Sequence, residues 1–284
     1  MLREYTASGL EALQLATALL QRARLADPLA GVWEAADVQW AWRRPRRSDD
    51  VEKLFWLDDA GPVAGVLLTT PNDGSWQCDP VIVPGTGIDP ATVWQRALEH
   101  AAQHSPNFAI PVSDDNAVLR QLAQQSGLTA GDSDSTAWLA TMQLPQTRAL
   151  HDGFLLTDRA TASGPHPMQA RAGDQVAERL AQCSLYDPAL DLAVETHRGE
   201  IAGVSLYWFD PVTKVGLVEP MRVEDNFQRK GLARAMLCEG IRRLAAKGAE
   251  RIKVSYQTEI AGALYQAVGF QPQSTTTWYQ ASAK

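Results

Sequence analysis

The spacing of apolar residues divides the chain into helical and extended segments. Near the N-terminus, apolar residues recur at helical spacing at Leu10, Leu13, Ala16 and Leu20. This stripe predicts an amphipathic helix, and the polar residues between its members exclude a membrane-spanning length. Residues 32–42 contain an alternating portion that places Val38, Trp40 and Trp42 on one face, which predicts a strand. The arginine-rich residues 43–47 that follow predict a solvated loop.

The same order of elements occurs twice along the chain. Two β-hairpins are predicted from pairs of apolar runs around a turn, at residues 52–57 and 63–69 and at residues 190–196 and 201–209. Downstream, two sets of segments correspond in order, namely 108–112, 116–127 and 138–140 with 252–256, 258–269 and 277–279. Such ordered similarity indicates an internal duplication. We therefore predict two domains, residues 1–145 and residues 153–284, joined near residues 143–153.

Composition places the chain among packed globular proteins. Apolar residues make up 45% and charged residues 21% of the 284 residues, and the formal net charge is −7. This acidic balance argues against nonspecific nucleic-acid binding and favours a cationic or amine substrate. Cys78, Cys183 and Cys238 are odd in number and widely spaced, which implies no disulfide framework and no zinc cluster. With an N-terminus that carries no export signal, this composition predicts a cytoplasmic protein without a metal or membrane association.

A short basic turn joins a strand to a helix in the second half. An apolar strand that includes residues 215–218 leads into it, and Gly231 lies at the joint. Arg229, Lys230 and Arg234 crowd the helix start, although the dipole disfavours a cation there by about 0.3–1 kcal/mol. A bound anion would remove this conflict, because amides, dipole and cations would all attract it. We interpret the turn as a pyrophosphate site.

Two motifs in this half resemble the GNAT superfamily of acyl-CoA N-acyltransferases. Residues 228–233 match its Q/R-x-x-G-x-G/A signature, and Val223 lies eight residues before the glycine, where the family's fourth strand ends. Residues 261–270 resemble its A-x-x-L-Y-x-x-x-G-F segment. One departure is Thr258, where the family usually has Asn, and its hydroxyl can still bond a backbone or pantetheine amide. Neither a dinucleotide signature nor a P-loop can be read across Gly231, and a solvated basic helix start would not explain the second motif.

The resemblance implies both a fold and a site. The chain would have an α/β fold of two tandem GNAT-like domains, each a mixed and mostly antiparallel sheet flanked by helices. The residues implied to hold acetyl-CoA are Met221, Arg222, Val223, Gln228, Arg229, Lys230, Gly231, Leu232, Ala233, Arg234 and Thr258. Tyr265 is implied to protonate the departing thiolate. Glu219 is the only carboxylate on the strand, shares a face with Met221 and Val223 by strand periodicity, and could relay the amine proton.

The first half lacks these groups, and we expect it to be a degenerate partner that does not bind CoA. In place of the basic turn it has Asp89 as a natural N-cap and Pro90 at the first helical position. Ala123 aligns with Tyr265, so the acid is missing as well. Asn116 is the remaining residue that resembles the family.

Other side chains admit two interpretations. By resemblance, Tyr186, Tyr207 and Trp208 could contact the acceptor, but packing in a core explains these aromatic residues equally well. His100 and His104 share a helical face without an evident third ligand, so we expect both to be surface residues.

The predicted activity is transfer of an acetyl group from acetyl-CoA to a primary amine, by direct attack through a tetrahedral intermediate. The acceptor would be a small molecule or a peptide, and the chain would act as a monomer or homodimer. Two-half members of the family include enzymes similar to mycothiol synthase, so a small thiol-bearing amine is one conceivable acceptor. A CoA-binding regulatory protein without turnover is the alternative, to which Thr258 and the unassigned base point.

Overall fold

A computed structural model describes residues 3–71, 75–146 and 150–281, and these residues group into two units. The first unit comprises Met1–Val38, Pro45–Ser135 and Ser274–Lys284, and the second comprises Gln39–Arg44 and Thr136–Gln273. The units therefore differ from a division into residues 1–145 and 153–284, whose independence as domains stays a prediction. Within the joint expected near residues 143–153, residues 147–149 lie outside the described residues.

The first unit is a mixed sheet with helices packed on it. Its strands are β1 (Arg3–Ala7), β2 (Lys53–Asp58), β3 (Gly61–Thr69), β4 (Trp76–Ile82), β5 (Phe108–Ser113), part of β6 (Thr129–Ala140) and most of β12 (Gln271–Ala281). Its helices are α1 (Gly9–Ala26), the start of α2 (Ala35–Trp42), α3 (Pro90–His104) and α4 (Ala117–Gln125). The strand order is β1-β2-β3-β4-β5-β12-β6. Antiparallel pairs prevail, but β4 and β5 pair in parallel.

The second unit repeats this architecture. Its further strands are β7 (Phe154–Asp158), β8 (Asp191–Thr196), β9 (Ile201–Asp210), β10 (Val215–Val223) and β11 (Arg251–Tyr256). Its helices are α5 (Gln169–Ala172), α6 (Val176–Ala181), α7 (Leu232–Ala246) and α8 (Glu259–Gln266). The strand order is β6-β11-β10-β9-β8-β7, with β10 and β11 parallel. Both predicted hairpins are confirmed as β2–β3 and β8–β9, and the order β5, α4, β6 matches β11, α8, β12 as the internal repeat predicted.

The expected strand at residues 32–42 is wrong, because Ala35–Trp42 forms helix α2. The reason is a local cap that outweighs the alternation of aromatic residues. Asp37, at the third helical position, accepts a hydrogen bond of 2.7 Å from the backbone N–H of Glu34 just before the helix. This is the return bond of a capping box, and the two alanines that open the helix favour it further.

The expectation that both histidines of α3 are surface residues is half right. His104 is exposed, whereas His100 is buried and its Nε2 lies 2.8 Å from the Glu52 carbonyl oxygen. The carbonyl partner explains how a polar ring is accommodated inside the unit, since buried polar groups need hydrogen bonds. The predicted start of α3 is confirmed, with the Asp89 side chain accepting from the N–H groups of Ala91 and Thr92.

Helix α7 packs tightly on β9, and this contact fixes the position of the helix against the sheet. A Cβ added at Gly240 would lie 2.1 Å from the ring of Tyr207, which is fully buried. Only glycine permits this approach. Apolar residues on the same helix, including Leu237, Ile241 and Leu244, are buried in the second unit's core and hold the helix along the sheet.

Candidate functional site

A cleft opens in the second unit where strands β10 and β11 stop pairing. Their parallel register runs through Val215↔Arg251, Gly216↔Ile252 and Leu217↔Lys253, and within the described residues it ends there. Strand β10 continues to Val223 and strand β11 to Tyr256. Because each continuation lacks its partner on the facing edge, backbone N–H and C=O groups in the cleft can pair with an extended ligand.

Strand β10 is irregular beside this cleft. Its register with β9 shifts between Val218 and Met221, and the Glu219–Pro220 peptide bond is cis. This bulge corrects the expectation that Glu219 shares a face with Met221 and Val223, since an extra residue interrupts the alternation of side chains. The Glu219 carbonyl accepts a hydrogen bond of 2.8 Å from Trp208 Nε1, which anchors the bulge to β9.

The basic turn after β10 has a left-handed backbone at two positions. Arg229 and Gly231 have positive φ values of 62° and 78°, so two left-handed residues flank Lys230. Helix α7 then begins at Leu232 without a side-chain cap and without an acid in its first turn. A Cβ built at Gly231 meets nothing within 4 Å, so the space over the turn is open. Uncapped amides at a helix start and a turn of this kind suit a phosphate group.

The cations of the turn are partly engaged by neighbours. Lys230 Nζ lies 5.2 Å from the ring centre of Phe227 and 5.6 Å from that of Phe154. Such exposed cation–π contacts are worth only about 0.5–1 kcal/mol, so a phosphate can recruit this ammonium. Arg222 lies 3.6 Å from carboxylate oxygens of both Glu224 and Asp225, which opposes a direct role for its guanidinium in holding an anion.

Arg234 offers an observation that favours a bound anion. Its Nε atom is buried and has no hydrogen-bond partner among the described residues. A buried donor left unpaired costs roughly 1–3 kcal/mol, so an anion that accepted this hydrogen bond would remove that cost. Together with the open turn, this donor fits a cofactor that carries phosphates.

Helix α8 brings the second motif to the cleft. The Thr258 Oγ1 accepts a hydrogen bond of 3.2 Å from the N–H of Ala261 and caps the helix. This explains the departure from Asn, because both residue types are good N-caps. Seven residues after Thr258, about two helical turns further on, Tyr265 is buried between the rings of Tyr256, at 5.8 Å, and Phe270, at 5.7 Å.

The pKa of the Tyr265 phenol depends on its surroundings, which include the Glu219 carboxylate on β10. Burial raises the pKa of Tyr265 well above its ordinary value, and the negative charge of Glu219 raises it further. Both effects keep the proton on the phenol at neutral pH. The two side chains that the sequence suggested for proton transfer therefore act on each other electrostatically.

Two of the three aromatic residues suggested as acceptor contacts are packing residues. Tyr207 and Trp208 are 0% exposed, so the core interpretation holds for both. Tyr186 is half-buried and its hydroxyl donates to Asp191 Oδ2 at 2.9 Å.

The sequence analysis missed the network to which Tyr186 belongs. His166 Nε2 lies 2.8 Å from the same Asp191 oxygen, and His166 Nδ1 accepts a hydrogen bond from the N–H of Met168. A usable signal was present, because Asp191 directly precedes the apolar residues 192–194 of the strand, and its position proved to be buried. A charge at such a position requires a partner.

In the first unit strands β4 and β5 also stop pairing, but the side chains nearby differ from those beside β10 and β11. Strands β4 and β5 pair only at Trp76↔Phe108 and Gln77↔Ala109. Helix α3 begins there with the Asp89 cap in place of cations, and Ala123 is fully buried where Tyr265 stands in the other half. A carboxylate at the helix start disfavours phosphate groups.

No group of three or more His, Cys, Asp or Glu side chains in residues 3–71, 75–146 and 150–281 is arranged to hold a metal ion. In the same part of the chain, no helix combines the length and apolar character needed to span a bilayer.

Comparison with known proteins agrees with the architecture. A sequence model of the acetyltransferase (GNAT) family matches residues 158–270. A tandem GNAT protein from the clavulanic acid biosynthesis pathway superposes with a TM-score of 0.70 at 12% identity, over 100% of each chain. A GCN5-related N-acetyltransferase from Sphaerobacter thermophilus gives a TM-score of 0.64 at 15% identity, over 98% of this chain and 95% of that one.

A third structure, a GCN5-related N-acetyltransferase from Kribbella flavida, gives a TM-score of 0.55 at 15% identity over 93% of this chain and 96% of that one. No curated protein matches the chain in sequence. At these identities the structural likenesses show the fold, and the family match shows the kind of domain in the second half. Residues 158–270 match the acetyltransferase (GNAT) family, and the chain as a whole has the fold of a tandem GNAT protein.

Proposed function

We propose that the second unit transfers an acetyl group from acetyl-CoA to a primary amine of a small molecule or peptide. The observation that carries the proposal is the placement of the basic turn and the Glu219–Tyr265 pair beside the cleft where β10 and β11 stop pairing. In this proposal the basic turn would hold the phosphates at one end of an extended backbone cleft, and Glu219 and Tyr265 would transfer protons along it. The same cleft would therefore bind the cofactor and carry the groups that transfer protons.

The turn is the part of the site that would hold the pyrophosphate. Its open amides near Gly231, the unpaired Nε of Arg234 and the recruitable ammonium of Lys230 all favour negative charge. The edge of β10 from Met221 to Val223, beyond the last residues that pair with β11, would bond the pantetheine amides in the manner of an added strand. Arg222 would contact the cofactor through its backbone and not through its guanidinium, because the guanidinium lies beside two carboxylates.

Acetyl-CoA supplies an activated acyl group, and the protein residues manage two protons. Glu219 would accept a proton from the incoming ammonium, either directly or through water, so that the free amine can attack the thioester carbonyl. Backbone N–H groups near Met221 and Val223 would stabilise the oxyanion of the tetrahedral intermediate. Tyr265 keeps its proton at neutral pH and would give it to the departing thiolate.

A CoA-release assay with the whole chain, acetyl-CoA and a broad panel of primary amines tests the proposal. We expect release above background for at least one amine class, and loss of that release in Tyr265→Phe. Acetyl-CoA binding without release for any amine would contradict turnover and would favour the CoA-binding regulatory protein instead. The isosteric Tyr256→Phe variant serves as control, since Tyr256 packs against Tyr265.

A further inference from the structure

The first unit contains a cavity of about 270 Å³ that the acetyl-transfer chemistry does not use. It lies where strands β4 and β5 have stopped pairing, beside α1, α4 and the segment before α2. Most of its wall is apolar, with contributions that include Leu20, Ala23, Val81, Ile82, Val112 and Leu119. At roughly 30 Å³ per liquid water molecule, the space suits a ligand of about ten non-hydrogen atoms.

One carboxylate stands in this apolar wall. Asp79 is only 5% exposed, and its Oδ1 accepts hydrogen bonds from Trp33 Nε1 at 2.9 Å and Gln77 Nε2 at 3.0 Å. Its Oδ2 accepts from Gln77 Nε2 at 2.8 Å and has capacity for a further donor. Burial raises the pKa of Asp79 to about 7, and the charge of Asp37 adds to this rise. Among the described residues, no cation contributes to the pKa of Asp79, so an ionised carboxylate here lacks a compensating positive charge from them.

The other charged residue in the wall does not supply that cation. Arg24 is buried and forms a bidentate pair with Glu34 through Nε and Nη2, so its charge is balanced locally. Among the described residues that line the cavity, Asp79 and Arg24 are the charged ones. With Arg24 balanced, the cavity carries a net preference for positive charge, and Trp33 adds an aromatic surface in the same wall.

We propose that this cavity binds a small organic ammonium ion with an apolar body, its ammonium group donating to Asp79. Charge complementarity selects the cation, and the apolar wall selects its body. The phosphates of a CoA molecule are disfavoured at this opening by Asp89 at the start of α3. The site is distinct in residues from the cleft between β10 and β11.

Calorimetry on the whole chain with 2-phenylethylammonium tests the proposal at pH 8, where Asp79 is ionised. We expect saturable binding, at least tenfold tighter than binding of the uncharged 2-phenylethanol or the anionic 3-phenylpropionate. Asp79→Asn keeps the shape and removes the charge, so it should weaken the amine at least tenfold. Ala23→Leu fills the cavity from α1 and should weaken it similarly, with unchanged far-ultraviolet circular dichroism as evidence of folding.

An amine that instead occupies the acetyl-transfer site would behave differently. Glu219→Gln should leave the calorimetric binding unchanged if the cavity is the site, and should weaken it if the amine sits in the second unit. Three results would each overturn the proposal. Asp79→Asn could bind 2-phenylethylammonium as tightly as wild type does, wild type could bind 2-phenylethanol as tightly as the amine, or no saturable binding could be found. Because the readout is binding without acetyl-CoA, failure here is distinguishable from absence of acetyl transfer.

Discussion

The carboxylate of Glu219 on strand β10 raises the pKa of the Tyr265 phenol on helix α8, in addition to the larger effect of burial. The carboxylate lies in a bulge whose carbonyl is held by Trp208, and the phenol lies on a helix capped by Thr258. Each group is thus positioned by its own local structure. Their electrostatic coupling is the relationship on which the proposed proton transfers depend.

Tyr265→Phe should lower turnover by roughly 10²–10⁴-fold, the usual effect of removing a general acid. The ring and its contacts with Tyr256 and Phe270 are kept, so acetyl-CoA affinity should change little. Steady-state kinetics on an accepted amine, with calorimetry for acetyl-CoA, provides both numbers. Full turnover in this variant would mean that Tyr265 only packs, while Tyr256→Phe should stay near wild type.

Glu219→Gln should reduce kcat/KM most at pH values where the Glu219 carboxylate is ionised, and least at the acidic end of the pH profile, if Glu219 accepts the amine proton. The amide has similar volume but cannot take a proton, so the rising limb that the carboxylate controls should disappear. The variant should also lower the pKa of the Tyr265 phenol, because the negative charge that raises it is removed. A pH–rate profile of unchanged shape and height would exclude Glu219 as the proton acceptor. Glu200→Gln, on an exposed turn of the same unit, is the matched control.

Reversing both charges of the turn, as Arg229→Glu with Lys230→Glu, should weaken acetyl-CoA by a factor on the order of 10² or more. Two attractive interactions with phosphate become repulsive, and each tenfold loss of affinity corresponds to about 1.4 kcal/mol. Calorimetry of wild type should also give one acetyl-CoA per chain, because Asp89 replaces the cations in the first half. Arg120→Glu with Arg198→Glu makes the same change of net charge at exposed positions elsewhere, and this control should bind normally. Unchanged affinity in the turn variant would refute the pyrophosphate assignment.

Asp79→Asn should stabilise the protein in a pH-dependent manner. The pKa of Asp79 rises from an ordinary value of 3.8 to about 7, so folding disfavours its ionised form. The resulting penalty is absent below pH 3.8, grows as the pH rises and is complete above about 7, where the gap corresponds to about 4 kcal/mol at most. The difference in unfolding free energy between variant and wild type should therefore increase from pH 4 to 7 and then level off.

Denaturant unfolding at several pH values measures this difference. Asp89→Asn is the matched control in the same unit, since the hydrogen bond from the Ala91 N–H lowers the pKa of Asp89. For Asp89 the pH dependence of stability has the opposite sign. Its ionised carboxylate stabilises the folded protein above the ordinary pKa of the group, and this stabilisation is lost as the pH falls. A pH-independent difference for Asp79→Asn would show that its carboxyl is not strained by burial.

A fragment of residues 153–284 should be poorly soluble. It lacks residues 136–140 of β6, the neighbour of β11 in the second unit, and it lacks β5, with which β12 pairs from Phe108↔Ala281 to Ser113↔Thr276. Two strands would then expose unpaired edges, which promote aggregation. Expression followed by size-exclusion chromatography checks this, with the whole chain as control. A soluble, monomeric and active fragment would show that the second half folds independently.

Local features of the site follow from residues that are neighbours in the chain. The basic turn, the helix start at Leu232 and the caps at Asp89 and Thr258 each involve a few consecutive residues. Backbone propensity and capping act over that range, so their patterns were sufficient. Where two local signals competed, as at residues 32–42, the capping bond at Glu34 prevailed over alternation.

Other features depend on strands and side chains that are distant in sequence. The bulge at Glu219, the pairing of β12 with β5 and the cavity around Asp79 belong to this group. Periodicity specifies which face of an element is apolar, but it does not specify which edge pairs with which or where packing leaves a space. The sequence by itself therefore determined most of the elements, the resemblance of residues 158–270 to the acetyltransferase (GNAT) family and the basic turn. Only the tertiary structure decided that Glu219 acts on Tyr265 and that Asp79 is buried beside a cavity, because both depend on long-range burial and charge.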